Sequence, residues 1–357
     1  MISVFVFPYL TWIKVDFIIF FITDRRISMV SVPYSRYLVK PVTWYSFLIM
    51  VGAVLAIILS CREERRVGFP KDTVIDLVLR ILPFGIIGAR IYYVVFSWDQ
   101  FRCDFLSVFR IWEGGLAIYG GIISGLFVLF CFCRKRGLPV LLMCDVVVPG
   151  LALAQSLGRW GNWFNIEAYG LSVSRPELCF FPLAVQVPSD GYSWHLATFF
   201  YESLWDFIVF IFLLTARYRF LKKRGDVFFF YVFLYAAGRL VIEDLRLDSL
   251  YAVSSVRISQ LFSIILCLVI LFRYILSIRK SHLTVLSVRL LFIPVSLSVS
   301  ASVAALAYSV SGSSLFGLSS LCGFVFLLCC SVLMILCLFW IYRIFSVTED
   351  NNADNMV

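Results

Sequence analysis

The residues best suited to chemistry lie where so apolar a chain should carry none. In the run from Gly158 to Gly170, GRWGNWFNIEAYG, Arg159, Asn162 and Asn165 recur every three residues, with Glu167 close behind. On a helix that spacing lines a guanidinium and two amides along one side. The guanidinium fork donates to two oxygens while amides both donate and accept, a set that suits a phosphate or glycerol head group. A purely structural helix end would use the same residues. A second stripe, Tyr235, Arg239, Glu243 and Arg246, is spaced by four, four and three. Arg239 and Glu243 can pair one turn apart, which makes their burial tolerable, and Arg246 keeps positive charge at the end of the segment. Two arginine centres converging at one level suggest an anion that is itself anchored in lipid.

Three other clusters stand out, because an ionisable group inside an apolar segment costs a few kcal/mol and so asks for a use. They are Trp44-Tyr45, the GARIYYV run with Arg90 and Tyr93 three residues apart, and WEGGLAIYGG, where two glycine pairs flank Tyr119. Each has a competing structural role: an interfacial aromatic belt, a snorkelling arginine, and close helix packing through small residues.

The elements that position these residues follow from composition. With 61% apolar residues, 36 phenylalanines and 15% charged residues, the 357-residue chain cannot bury its apolar surface in one aqueous globule. Its solvent is lipid, and the absence of short alternating strands predicts helices rather than a barrel. Apolar segments run at 44–60, 74–97, 115–133, 139–157, 198–216, 227–245, 258–276, 290–310 and 316–345. The fold expected is an all-α polytopic transmembrane helical bundle with about seven core spans, an outer-face head domain and two extra C-terminal spans.

The formal charge of +9 sits in short clusters at every second connection, around Arg62–Lys71, Arg134–Arg136, Arg217–Arg224 and Arg279–Arg289. That is a topology signal and not a nucleic-acid surface, so no nucleic-acid partner is expected. It makes those loops cytoplasmic and places 98–114, 158–197 and 246–257 outside. Residues 1–40 are expected to form an interfacial arm, 41–280 the catalytic bundle with its head loop at 158–197, 281–346 two accessory spans and 347–357 a cytoplasmic tail. Most of the 11 cysteines lie in apolar runs, and the two histidines, His195 and His282, are far apart, so neither a metal nor a cofactor is expected.

Taken in order, the motifs resemble the prolipoprotein diacylglyceryl transferase family over residues 41–278. The resemblance rests on GRWGNWFNIEAYG together with Trp44-Tyr45, GARIYYV, WEGGLAIYGG, the TFFYE run from Thr198 to Glu202, Tyr235 to Arg246, and Ser259-Gln260. It implies an enzyme of the bacterial cytoplasmic (inner) membrane, with its site towards the outer, periplasmic side and no cofactor. Such an enzyme moves the diacylglyceryl unit of phosphatidylglycerol onto the lipobox cysteine in a prolipoprotein signal peptide, with membrane lipids as its surroundings.

The resemblance further implies Tyr119, Arg159, Arg239, Tyr45 and Asn162 as catalytic residues. Arg159, Asn165, Glu167, Gly170, Glu243, Arg246 and Arg90 would bind the lipid, Arg159 and Arg239 on its phosphate, with Glu167 and Glu243 orienting the arginines. The chain departs from the family pattern at three places. Tyr119 stands where many members have histidine, Ile166 replaces a glycine, and His195-Leu196-Ala197 loosens a His-Pro step. A phenol serves as a base near neutrality only beside groups that depress its pKa from about 10. The alternative function is a membrane lipid transporter or scaffold without transferase activity; a transporter would favour inverted repeats, and none is evident.

Overall fold

A computed structural model describes residues 36–280, apart from 41, 103, 248–250 and 254–255, and residues 320–354, together with the single positions 297 and 304. Most of the expected N-terminal arm and of the 290–310 span therefore lies outside the described residues. The described chain is all-α in its main elements, with eight α-helices: α1 (Trp44–Val67), α2 (Thr73–Phe96), α3 (Ile118–Arg136), α4 (Val140–Asn165), α5 (Thr198–Arg219), α6 (Asp226–Ile242), α7 (Ile258–Lys280) and α8 (Ser320–Asp354). Six of them, α1, α3, α4, α5, α7 and α8, are long and apolar enough to cross a membrane. The protein is a multi-pass membrane protein, and side chains such as Leu79, Val95, Phe127 and Phe272 stand exposed on its helices, as a lipid solvent allows.

Three small antiparallel hairpins accompany the helices: β1 (Tyr37–Val39) with β2 (Val42–Thr43), β3 (Ala184–Val187) with β4 (Ser193–Leu196), and β5 (Tyr251–Val253) with β6 (Val256–Arg257). The predicted head loop begins at 158, yet α4 continues to Asn165. The glycines there do not break the helix, because Gly161 is a contact point: a Cβ on it would lie 2.5 Å from Cδ2 of Tyr45. Similarly, α1 runs past the predicted end at 60 through the charged stretch Arg62–Arg66.

The described residues divide into two compact units. One draws on 36–49, 156–205 and 235–354, the other on 50–155 and 206–234. Helices α1, α4, α5 and α6 each run through both, contributing one end to each.

In the second unit a core of Leu77, Leu129, Phe132, Cys133, Met143 and Cys144 joins α2, α3 and the start of α4. At one crossing the backbones of helices α2 and α3 come close together: a Cβ on Gly120 would fall 2.3 Å from the Gly88 carbonyl oxygen, and one on Gly88 would fall 2.9 Å from that of Gly120. Small residues at a crossing allow the backbones to approach, which substitutes for the hydrophobic drive that lipid removes. Replacing Gly120 with valine is expected to cost about 1–3 kcal/mol through overpacking, seen as a lowered unfolding temperature in detergent. The second glycine pair of WEGGLAIYGG thus serves helix packing, whereas Gly114 and Gly115 take positive φ (95° and 73°) and make the turn.

In the first unit, α7 and α8 pack through the edge-on rings of Tyr274 and Tyr342, 5.5 Å apart. Ser331 of α8 also donates to the Ala237 carbonyl at 3.2 Å, which ties this C-terminal helix to α6.

Candidate functional site

The site forms in the first unit, where the ends of α4, α5 and α6 converge. Two small-residue contacts set the geometry. Ser156 on α4 and Ser203 on α5 each donate to the other's carbonyl at 2.8 Å, one turn from Arg159 and next to Glu202. On α6, Gly238 lies against Trp205 of α5 so closely that a Cβ would fall 2.1 Å from the indole nitrogen. The next residue, Arg239, is thereby brought onto α5.

What results is a carboxylate bridging three guanidiniums. Glu202 Oε1 accepts from Arg239 Nη1 at 2.5 Å and from Arg246 Nη1 at 3.0 Å, while Oε2 lies 2.8 Å from Arg159 Nη1. Glu243 Oε2 holds the other face of Arg239 at 2.8 Å, one helical turn on, as the spacing predicted. Three guanidiniums and the carboxylates of Glu202 and Glu243 thus form one cluster. The carboxylates are buried, but the side chains of Arg159 and Arg239 remain 21% and 22% exposed. Pairing at hydrogen-bond distance is what makes burial of this many charges affordable.

Glu202 is the member of this cluster that sequence reasoning passed over. It stands in the TFFYE motif, yet no sequence neighbour marks it as the partner of Arg159, Arg239 and Arg246. An unexplained carboxylate inside an apolar helix was the available signal.

Tyr45, Asn162, Asn165, Glu167 and Gly170 belong to the same unit. The first turn of α1 packs on α4 through the stacked rings of Trp44 and Phe164, 5.0 Å apart, and Tyr45 lies within electrostatic range of both Arg159 and Glu167. Asn165 is a relay: its amide accepts from Arg36 Nε at 3.1 Å and donates to Glu167 at 3.2 Å. Glu167 therefore meets Asn165, and Glu202 is the carboxylate that bridges the arginines. Among the described residues the side chain of Asn162 makes no protein hydrogen bond, although its carbonyl accepts from Glu167 N at 3.0 Å.

Gly170 is a packing necessity. It bridges to Arg246 in antiparallel fashion, donates to Leu196 O at 2.9 Å, and leaves no room for a Cβ, which would meet Leu245 O at 2.7 Å. Beneath it the head rests on Phe181, Val185, Ala197 and Phe199, with Trp160, Trp163 and Phe200 packed around them.

The buried ring of His195 fastens the head. Its Nδ1 lies 2.9 Å from Gly170 O, and its Nε2 lies 2.8 Å from Asp190 Oδ2 and 2.9 Å from Ser193 Oγ. Hydrogen bonds from Ser193 and His195 hold the Asp190 carboxyl below the usual aspartate range. Its contribution to stability is accordingly present above the unfolded aspartate pKa of about 3.9 and fades as pH falls through the lower folded value. Asp190→Asn is expected to lower the melting temperature at neutral pH and to leave it nearly unchanged in acid below the aspartate range, so that the acid limb of a melting-temperature profile flattens.

Ile166, at the family's glycine position, has φ of 57°, as Ala168 does. A β-branched residue is strained there. Ile166→Gly is expected to raise stability by about 0.5–1 kcal/mol, the strain relieved outweighing glycine's entropy, and thermal unfolding would register it.

Arg90 and Tyr119 fall in the second unit. The buried Arg90 guanidinium donates to the carbonyls of Ser107 (2.7 Å), Val108 (2.8 Å), Gly114 (2.8 Å) and Gly115 (2.9 Å). It is neither snorkelling nor paired with an acid; it organises the loop before α3. Tyr119, in the first turn of α3, is half-exposed with its ring 6.3 Å from that of Tyr92. Among the described residues no group of acids, histidines and cysteines could hold a metal ion.

Comparison with known proteins identifies relatives of this chain. A family model described as prolipoprotein diacylglyceryl transferase matches residues 35–276. A Limosilactobacillus reuteri (strain DSM 20016) protein named phosphatidylglycerol–prolipoprotein diacylglyceryl transferase is 44% identical over 230 residues, covering 62% of this chain and 82% of its own. Proteins of the same name from Streptococcus suis (strain 05ZYH33) and Streptococcus mutans serotype c are 41% and 43% identical, covering 68% and 64% of this chain and 90% and 88% of theirs.

Proposed function

The chain belongs to the prolipoprotein diacylglyceryl transferase family, and from that premise we propose that it transfers the diacylglyceryl group of phosphatidylglycerol to the lipobox cysteine of prolipoproteins, with its carboxylate-bridged arginines on the lipid phosphate. The observation that carries the reading is the convergence of three guanidiniums on Glu202, with Arg159 and Arg239 still partly open to a ligand.

In the reaction the cysteine sulfur attacks the glyceryl carbon that bears the phosphate ester. A carbon–sulfur bond forms, the carbon–oxygen bond breaks, and glycerol 1-phosphate leaves with the electron pair. The nucleophile is the thiolate, so the thiol proton must pass to a base as the sulfur attacks. Arg159 and Arg239 neutralise the charge that grows on the leaving phosphate, with Arg246 adding to the field and Glu202 and Glu243 fixing the guanidinium planes. Asn162 and Tyr45 orient the glycerol part, while Asn165, Glu167 and Gly170 hold the site's rim. Arg90 contributes through the loop it organises.

The alternate basic loops support an outer, periplasmic-facing site in the cytoplasmic (inner) membrane of a bacterium. The test is purified protein with phosphatidylglycerol vesicles and a lipobox peptide, read by mass spectrometry. A diacylglyceryl adduct that needs phosphatidylglycerol and vanishes when the cysteine becomes serine is the expected result. No adduct from folded protein would favour a lipid transporter or scaffold instead.

A further inference from the structure

The second unit holds another basic site, unrelated to Glu202. A cavity of about 190 Å³ lies among the C-terminal end of α1, the start of α4, the end of α5 and the turn into α6. Its chemistry comes from Glu63, Arg66, Asp145, Arg217, Lys222 and Lys223. Both lining carboxylates are engaged. Glu63 accepts from Arg66 Nε at 2.7 Å and lies 3.0 Å from Arg217 Nη1. Asp145 accepts the backbone amides of Gly225 and Phe228, capping the start of α6. Nearby Asp226 faces the backbone amide of Lys223 at 3.2 Å.

Arg217 is the informative residue. It is 7% exposed, and among the described residues its buried Nε finds no hydrogen-bond acceptor. A topology signal requires only positive charge facing water on one side of the membrane. It does not require an arginine withdrawn into a cavity with a donor still unsatisfied, which is a costly arrangement unless an acceptor arrives. The space equals roughly six waters at about 30 Å³ each, room for a phosphate and the first atoms of its ester arm.

We propose that this cavity binds a phosphate group, distinct from the one handled at Glu202, and that it locks the ends of α1, α4 and α5 together around the bound anion. An anionic lipid head group and free phosphate share the necessary chemistry: oxygens that accept from Arg217 Nε and a negative charge drawn to the lining arginines and lysines.

The test is thermal unfolding of the full-length protein in neutral detergent, titrated separately with inorganic phosphate, short-chain phosphatidic acid and short-chain phosphatidylcholine. Wild type and Arg239→Gln are expected to be stabilised alike by phosphatidic acid or inorganic phosphate, and not by zwitterionic phosphatidylcholine, whose ammonium offsets its phosphate charge. The double variant K222Q/K223Q, which removes two of the lining cations, should bind at least tenfold more weakly. Arg217→Gln, if it folds, should lose the response.

Stabilisation by phosphatidic acid alone assigns the site to a lipid head group; an equal response to inorganic phosphate assigns it to the free anion. The proposal is overturned if phosphatidylcholine stabilises as well, if K222Q/K223Q keeps the full response, or if neither phosphate probe has an effect. Loss of the response in Arg239→Gln would place the binding at the transferase site and overturn it too.

Discussion

Glu202→Ala is expected to reduce diacylglyceryl transfer by more than a hundredfold and to lower stability by about 3–5 kcal/mol, the cost of leaving buried charge without its partner. One carboxylate bridges Arg159, Arg239 and Arg246, so its removal releases three guanidiniums at once. They repel one another and lose the geometry in which they could meet a phosphate. Glu202→Gln separates the two effects, because it retains the shape and one acceptor oxygen while cancelling the charge. As a positioning residue, Glu202 should show itself in a kcat loss larger than any rise in KM for phosphatidylglycerol, with partial rescue in the glutamine variant. Unchanged kcat in well-folded Glu202→Ala would remove the bridge from the mechanism.

Arg239→Ala and Arg159→Ala are expected to abolish measurable transfer, a loss of 10²–10³ or more for each guanidinium acting on a developing charge. Insertion should survive, since the apolar side chains of the helices that carry them, α4 and α6, are untouched. The two losses should not multiply in the double variant, because both residues pair with Glu202 and neither is an independent site. Either variant retaining full activity in the phosphatidylglycerol and lipobox-peptide assay would end the phosphate-clamp account. Arg246→Ala should cost less: it shares the same Glu202 oxygen as Arg239, but its side chain is only 11% exposed against 22%.

Much of this was legible in the sequence, for a local reason. Hydropathy over about 20 residues decides whether a segment can cross lipid, and the helices from Trp44 to Lys280 stand where the apolar runs predicted them. Spacing of three and four residues likewise decides which side chains share a helix face, so Arg239 meets Glu243 as the stripe required. Ends were less legible. Gly158 and Gly161 look like breakers, yet α4 passes through them, because what Gly161 supplies is room for Tyr45.

What only the tertiary structure decided is which charge answers which. Glu202 reaches Arg239 and Arg246 across 37 and 44 residues, and no local period encodes a contact of that range. The same limit hid the fate of Arg90, whose position near a helix end fits snorkelling but whose donors are taken by carbonyls 17 to 25 residues further on. It hid Gly238 as well, an unremarkable glycine until Trp205 is laid against it. Sequence by itself determined the solvent, the spans and the kinds of group available for chemistry, since each depends on neighbours along the chain. The bridge that makes those groups a site depends on neighbours in space, and only the packing of α4, α5 and α6 supplies them.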